Sequence, residues 1–388
     1  MNAERLARLR ENAAKPEFQP VVARIRRRAE AGLAITYTFD GREQAQWWHY
    51  FHCDHDGHSL VFDWNKPKEH RCGACGRVYT GEPYDSCWVL MAHSEIASAM
   101  VHMSLMLAIE PDGHEDCLAF IRRYLLLYAR YYASFTIHGD IPYNGPGKLF
   151  AQTLDESLWI ANICKAYAIA REWLTAEERS RIEEGLLRPC ALFLIDHKEK
   201  QLHNHSTIIT SAISSLGFLL NDPAVQAGGL EGEYGLLDQM ERGVRPGGLW
   251  YEGVFHYHYF ALHPIMNYCL IVEGTQWDLR GHPAIRKMLD FPLSFILPNG
   301  TVPMLNDHGG HAGIREYAWA YEIAYAWYGD PEYRQMLRVM YGVDGDHLHA
   351  FGEGSGFRPA ERASQEALFY GMELGIASPE ELRESRER

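Results

Sequence analysis

Basic residues are in short supply in this chain. Only 37 Lys and Arg stand against 51 Asp and Glu in 388 residues, a formal charge of −14. Nucleic-acid binding draws much of its affinity from lysine and arginine on phosphates, so no nucleic-acid partner is expected. A polyanion held over the whole surface is disfavoured for the same reason, while a locally basic cleft stays open. Long hydrophobic runs are missing as well. No stretch approaches the roughly 18–20 apolar residues that cross a bilayer, so no membrane partner is expected. The opening MNAERLARLRENAAKP has a charged amphipathic pattern without the apolar centre of a signal peptide. A cytoplasmic location is the resulting expectation, with the periplasm or exterior as the alternative if a leader was removed. Eight scattered cysteines do not make the framework of a small disulfide-stapled protein. Cys87, Cys117, Cys164, Cys190 and Cys269 sit in apolar helical contexts and read as buried thiols. A repeat of fixed period is also absent, which weighs against a regular solenoid.

Aromatic residues, by contrast, are plentiful: 22 Tyr, 16 Phe and 10 Trp. Flat rings fill cores, and they also cover the apolar faces of sugars. Apolar residues recur at three- and four-residue spacing over 4–31, 86–109, 113–135, 151–173, 176–196, 206–220, 231–243, 256–273, 282–296, 315–328, 331–341 and 362–371. Trp88, Met91, Ile96, Met100, Met103 and Met106 form one such face and are expected in the core. Breakers such as Asn144-Gly145-Pro146-Gly147, Asn221-Asp222-Pro223, Pro246-Gly247-Gly248 and Pro298-Asn299-Gly300 separate the segments. The pattern predicts an all-α fold of stacked helical hairpins. Three parts are expected: an N-terminal helix over 1–33, a small β-rich insertion over 34–84, and the helical body over 85–388.

The insertion holds Cys53-Asp54-His55-Asp56-Gly57-His58 and Cys72-Gly73-Ala74-Cys75-Gly76. A Cys-x-x-Cys-Gly turn aims two thiolates at one tetrahedral Zn²⁺. Cys53, Cys72 and Cys75 supply three ligands of a structural zinc site. Asp56 takes the fourth place if the first turn mirrors the second, while His55 or His58 suits zinc better chemically. No organic cofactor is expected.

Two segments carry the candidate chemistry. His203-Asn204-His205-Ser206-Thr207 precedes the apolar run IITSAISSLGFLL, where Ser206 or Thr207 is expected to cap a helix and leave Asn204 and His205 at its start. Pro246-Gly247-Gly248 leads through Trp250-Tyr251-Glu252-Gly253 into Phe255-His256-Tyr257-His258-Tyr259-Phe260, a glycine turn entering an aromatic helix. A different use of polar groups is paired carboxylates drawn from Asp155, Glu156, Glu252 and Asp307, as in glycoside hydrolysis. A sugar-binding or inactive helical module is a third reading.

The Asn-His-Ser motif before an apolar helix, the Gly-Gly-x-x-Tyr-Glu-Gly stretch running into Tyr-His, and the knuckle before Gly81-Glu82-Pro83-Tyr84-Asp85 together resemble the heparinase II/III-like and oligoalginate lyase group of polysaccharide lyases. The resemblance covers roughly residues 35–375. It implies an incomplete α/α toroid and β-elimination on an acidic oligo- or polysaccharide. It also implies a β-sandwich after the helices; here the charged tail SPEELRESRER follows them instead, so activity of the chain alone is in question. By similarity Asn204, assisted by His205, neutralises the uronate carboxylate, and Tyr257 is the acid and, in the syn geometry, also the base. His205 is the base in the anti geometry, and Tyr259 is the alternative to Tyr257. Gln152, Glu252, His256, Tyr259 and His308 are expected to contact substrate.

Overall fold

The computed structural model describes residues 1–139, 145–306, 313–376, 378, 380 and 381. In chain order the helices are α1 (Ala3–Ala13), α2 (Gln19–Leu33), α3 (Tyr84–Ile109), α4 (Glu115–Tyr131), α5 (Thr153–Ala170), α6 (Ala176–Ile182), α7 (Arg188–His197), α8 (Asn204–Leu219), α9 (Pro223–Leu230), α10 (Leu236–Gly243), α11 (Phe255–Val272), α12 (Pro283–Asp290), α13 (Ala318–Tyr328), α14 (Pro331–Tyr341), α15 (Asp346–Phe351) and α16 (Gln365–Tyr370). The fold class is all-α, as the periodicity implies. The N-terminal segment expected as one helix is two. Pro16 supplies no backbone N–H, and a 3₁₀ turn at Pro16–Phe18 separates α1 from α2. α9 lies where a loop was expected, because Asp222 accepts from the Ala224 and Val225 N–H groups and Pro223 occupies the first turn.

By its contacts the chain divides into two compact units. The first comprises residues 1–25, 202–207 and 237–388; the second comprises 26–201 and 208–236. In the second unit α3 packs along α5. Both bury residues on every side, including Cys87, Met100 and Met103 of α3 and Cys164 of α5, so both are central helices. α6 continues through a π turn at Glu183–Leu187 into α7. Gly185 in that turn abuts the Ala129 carbonyl, where any side chain would collide. In the first unit α1 packs on α16 and α13 on α14. Cys87, Cys117, Cys164, Cys190 and Cys269 are all buried free thiols.

Within 34–84 the strands β1 (Leu60–Val61), β2 (His70–Cys72) and β3 (Val78–Tyr79) form an antiparallel sheet in the order β1-β2-β3. No other named strand occurs among the described residues. Among the same residues, no helix is long and apolar enough to cross a membrane.

Candidate active site and metal centre

α8 begins at Asn204, one turn earlier than a Ser206 or Thr207 cap would set it. His203 is the cap: its Nδ1 accepts from the His205 N–H (3.3 Å) and its carbonyl from the Thr207 N–H (3.2 Å). Thr207 turns its hydroxyl back onto the Asn204 carbonyl (2.7 Å). The first N–H groups of a helix lack intrahelical acceptors. That of Asn204 is taken by Glu252, whose Oε2 lies 3.1 Å away. The Asn204 side chain donates to the same carboxylate, Nδ2 lying 2.8 Å from Oε1 and 3.0 Å from Oε2. Only an amide nitrogen can donate to a carboxylate, so the orientation of the Asn204 amide is fixed. Its Oδ1 is buried without a hydrogen-bond partner among the described residues.

Glu252 therefore joins the two candidate segments, which are 48 positions apart at this contact. Its Oε2 also accepts from Trp250 Nε1 at 2.5 Å, and His203 Nε2 lies 3.5 Å from its Oε1. With its oxygens held by protein donors, Glu252 organises the site. The turn before it is tied back as well, since Tyr251 donates its hydroxyl to the Leu202 carbonyl. Gly248, at φ +102°, lies against the Lys287 carbonyl of α12, where a Cβ would approach to 2.2 Å.

The start of α11 sorts its aromatics by burial. His258 is buried; its Nδ1 accepts from the Trp250 N–H (3.1 Å) and its Nε2 donates to the Met288 carbonyl (2.8 Å). That pairing sets one neutral tautomer, and burial pushes its pKa down to about 4. Tyr259 is also buried. Its ring stacks on Tyr317 at 3.6 Å and its hydroxyl meets that of Tyr321 at 3.0 Å. Tyr259 is thus packed into the core. Tyr257 is half-buried, as is His205, and His256 is exposed. The His203 and His205 rings meet edge to face, with centroids 4.2 Å apart.

Gln152 is buried at the start of α5, its Nε2 donating to Asp155 (2.8 Å). Glu156 is fully buried, accepting from the Tyr132 hydroxyl (2.9 Å) and the backbone N–H groups of Phe150 (2.9 Å) and Lys148 (3.2 Å). His308 and Asp307 lie outside the described residues. Asn306 is described: from a left-handed backbone (φ +52°) its Nδ2 reaches toward the Glu252 and Gly253 carbonyls, both at 3.4 Å. Asparagine tolerates that conformation, a signal that could have singled it out.

In the insertion, Cys53, Asp56, Cys72 and Cys75 bring their ligand atoms within 4.8 Å of one another, a group that could hold a metal ion. The two turns have matching backbone bonds. Cys53 N donates to His58 O and Cys72 N to Arg77 O, both at 2.8 Å; Gly57 N donates to Cys53 O (2.9 Å) and Gly76 N to Cys72 O (3.1 Å). Gly57 and Gly76 both have positive φ. The first turn thus mirrors the second, and Asp56 sits where the second has Cys75. His58 is outside the group and mostly exposed, and His55 is outside it too.

No family profile matches the chain. An exo-oligoalginate lyase of Saccharophagus degradans is 33% identical over 172 residues, 42% of this chain and 23% of that protein. An alginate lyase of Stenotrophomonas maltophilia is 32% identical over 171 residues, again 42% and 23%. This chain resembles the polysaccharide lyases. The match spans about a quarter of the length of those curated relatives. Among solved structures, an alginate lyase from Bacteroides ovatus superposes with a TM-score of 0.53 at 12% identity, over 96% of this chain and 98% of that one. A Streptomyces coelicolor chondroitin AC lyase gives 0.53 at 14% identity, over 97% of this chain and 50% of that one. At such identities the likeness is one of fold, and it agrees with the incomplete α/α toroid implied by the sequence resemblance.

Proposed function

We propose that this chain is the helical, substrate-cleaving part of a lyase that breaks uronic-acid glycosides by β-elimination. The observation that carries the reading is the Asn204–Glu252 contact, which brings the Asn-His motif to the turn that leads into Tyr257. In the reaction the C5–H bond breaks, its electron pair forms the C4–C5 double bond, and the C4–O4 bond breaks as O4 takes a proton. The C5 proton is barely acidic beside an ionised carboxylate, so that carboxylate must be neutralised by positioned groups. That task falls to Asn204, through the amide N–H left over from its bond to Glu252, assisted by His205 at the same helix start. Tyr257 gives the proton to O4; it also takes the C5 proton in a syn elimination, whereas His205 takes it in an anti elimination.

The carboxylate-pair alternative is weakened by two observations. Glu156 is wholly buried among protein donors and Glu252 is held by Asn204 and Trp250. Oligosaccharides of alginate, heparan, hyaluronan, chondroitin and ulvan offered to the protein separate the readings. A rise in ultraviolet absorbance from the conjugated product supports elimination. New reducing ends without that absorbance mean hydrolysis, and binding without products means a sugar-binding module.

For the insertion, the metal we assign is zinc, in a structural role. Three thiols and a carboxylate suit Zn²⁺ in a closed tetrahedral site. The Cys53 and Cys75 sulfurs are 3.6 Å apart, close to the separation of two ligands with Zn–S bonds of about 2.3 Å. The Ala74 and Cys75 N–H groups point at Cys72 Sγ from 3.4 Å, as stabilises a thiolate.

A further inference from the structure

Many arginines in this acidic chain pair with a carboxylate. In the first unit Arg5 meets Glu273, Arg242 Asp238, Arg286 Asp330, Arg338 Asp346 and Arg362 Glu322. Arg315 and Arg358 have no acidic partner among the described residues. Both line one open pocket of about 190 Å³, together with Asn299, Thr301, Glu316 and Phe357.

The pocket is held by hydrogen bonds. The Gly300 N–H donates to Leu297 O (2.8 Å), the Ile314 N–H to Gly300 O (2.9 Å), and Thr301 bridges to Gly313. Arg315 Nη1 donates to the Arg358 carbonyl, which ties the 313–316 and 356–358 segments together. Asn299 Oδ1 accepts from Thr301 N and Oγ1 (3.1 and 2.7 Å). Phe357 lies against Gly300, where a Cβ would come within 2.1 Å of the ring, so glycine is needed for the ring to sit there. The Glu316 carboxylate accepts from the Gly313 N–H at 3.2 Å.

The chain connects this pocket to the candidate active site. From Thr301 it runs five residues to Asn306, which reaches the Glu252 and Gly253 carbonyls. Five extended residues span at most roughly 18 Å, so a chain of a few sugars can occupy both places.

We propose that this pocket is a distal subsite, in which Arg315 and Arg358 take the carboxylate of a uronate away from the cleaved bond and Phe357 covers a sugar face. The proposal rests on the lyase reading for the identity of the ligand. A guanidinium presents paired N–H donors that match a carboxylate, and an aromatic face beside it suits the apolar side of a sugar ring.

The test uses Arg358→Gln, an exposed side chain whose backbone tie to Arg315 is kept, and Arg315→Lys, which retains charge but not the fork. Turnover and equilibrium binding are measured on uronate oligomers of increasing length and on their carboxyl-reduced, neutral counterparts. For Arg358→Gln we expect KM and Kd to rise about tenfold on the longer acidic oligomers only, with kcat and the shortest cleavable substrate unchanged. Arg315→Lys is expected to shift in the same direction by less. Cleavage with no length-dependent loss in Arg358→Gln overturns the subsite and leaves the lyase reading standing. If the wild-type protein cleaves nothing, the lyase reading fails, and binding still decides the subsite. Tighter binding of acidic over reduced oligomers, lost in Arg358→Gln, supports it; equal binding overturns it.

Discussion

Glu252 does at one position what two loops need. It takes the helix-start N–H of Asn204, fixes the Asn204 amide and anchors the Trp250 indole. A glutamine there has one acceptor oxygen and would turn an NH₂ toward donors. Glu252→Gln is therefore expected to lose activity and also to lower the melting temperature, since buried donors would go unpaired. Tyr257→Phe should instead lower kcat by about 10²–10⁴ with the fold intact, the scale of a lost general acid or base. Asn204→Ala should cost about 10²–10³, the scale of a lost oxyanion donor. Tyr259→Phe is expected to keep kcat and lose about 1 kcal/mol of stability, because its hydroxyl bonds Tyr321 inside the core. A kcat unchanged by Tyr257→Phe but destroyed by Tyr259→Phe would reverse the assignment. The sequence brought attention to this helix start and could not order its side chains. Tyr251, His256, Tyr257, His258 and Tyr259 are all polar aromatics, and for His258 and Tyr259 the turn inward is decided by partners 30 and 62 positions away, at Met288 and Tyr321. Glu252 was underrated for the same reason, its partners being on another segment.

At the scale of elements, helices were legible where apolar spacing ran long, as in α3 and α11, and less so where a few residues decide. Asn221-Asp222-Pro223 read as a breaker, yet Asp222 and Pro223 open α9. Pro16 lay within an unbroken apolar pattern and divides α1 from α2. The insertion was legible in finer detail, because a metal knuckle fixes ligand spacing and glycine placement together. Its two turns share backbone bonds and differ in one ligand, Asp56 against Cys75. Metal analysis of the purified protein is expected to find about one zinc per chain, and a chelator to lower the melting temperature, because a site of this kind is coupled to folding. Asp56→Cys should hold the ion more tightly, thiolate being the softer ligand. Protein free of zinc, with a melting curve indifferent to chelator and to Cys72→Ser, would remove the metal assignment.

For the whole molecule, three ionisable groups fully buried in its interior bear on the dependence of stability on pH. Burial pushes Glu156 up from the usual 4.5 to about 7, against the opposing pull of the Phe150 N–H, the Tyr132 hydroxyl and the Lys148 N–H. Burial pushes His93 and His258 down from 6.5, to about 3 and about 4. Between 4.5 and 7 the folded chain holds a proton on Glu156 that the unfolded chain has released, so this group's contribution is full below pH 4.5 and is lost as pH rises through 7. It amounts to about 3 kcal/mol. The histidines act in the opposite sense. Folded, they stay neutral where the unfolded chain would charge them, so their contribution is full above 6.5 and is lost as pH falls toward 3–4. From 4.5 to 7 the two histidines outweigh the one carboxyl and stability rises; near pH 9 the thiols of Cys87, Cys164 and Cys269, which burial also pushes up from 9.0, add a loss of their own. Thermal melts from pH 4 to 8 are therefore expected to rise up to about pH 7 and to change little beyond it. Glu156→Gln keeps an acceptor for the Phe150 and Lys148 N–H groups and has no proton to lose. Between pH 4.5 and 7 its melting temperature should rise more steeply than that of the parent, and above about pH 7.5 the two curves should run parallel. If the two curves instead run parallel from pH 4.5 to 7, Glu156 does not titrate in that range, and the window belongs to other groups.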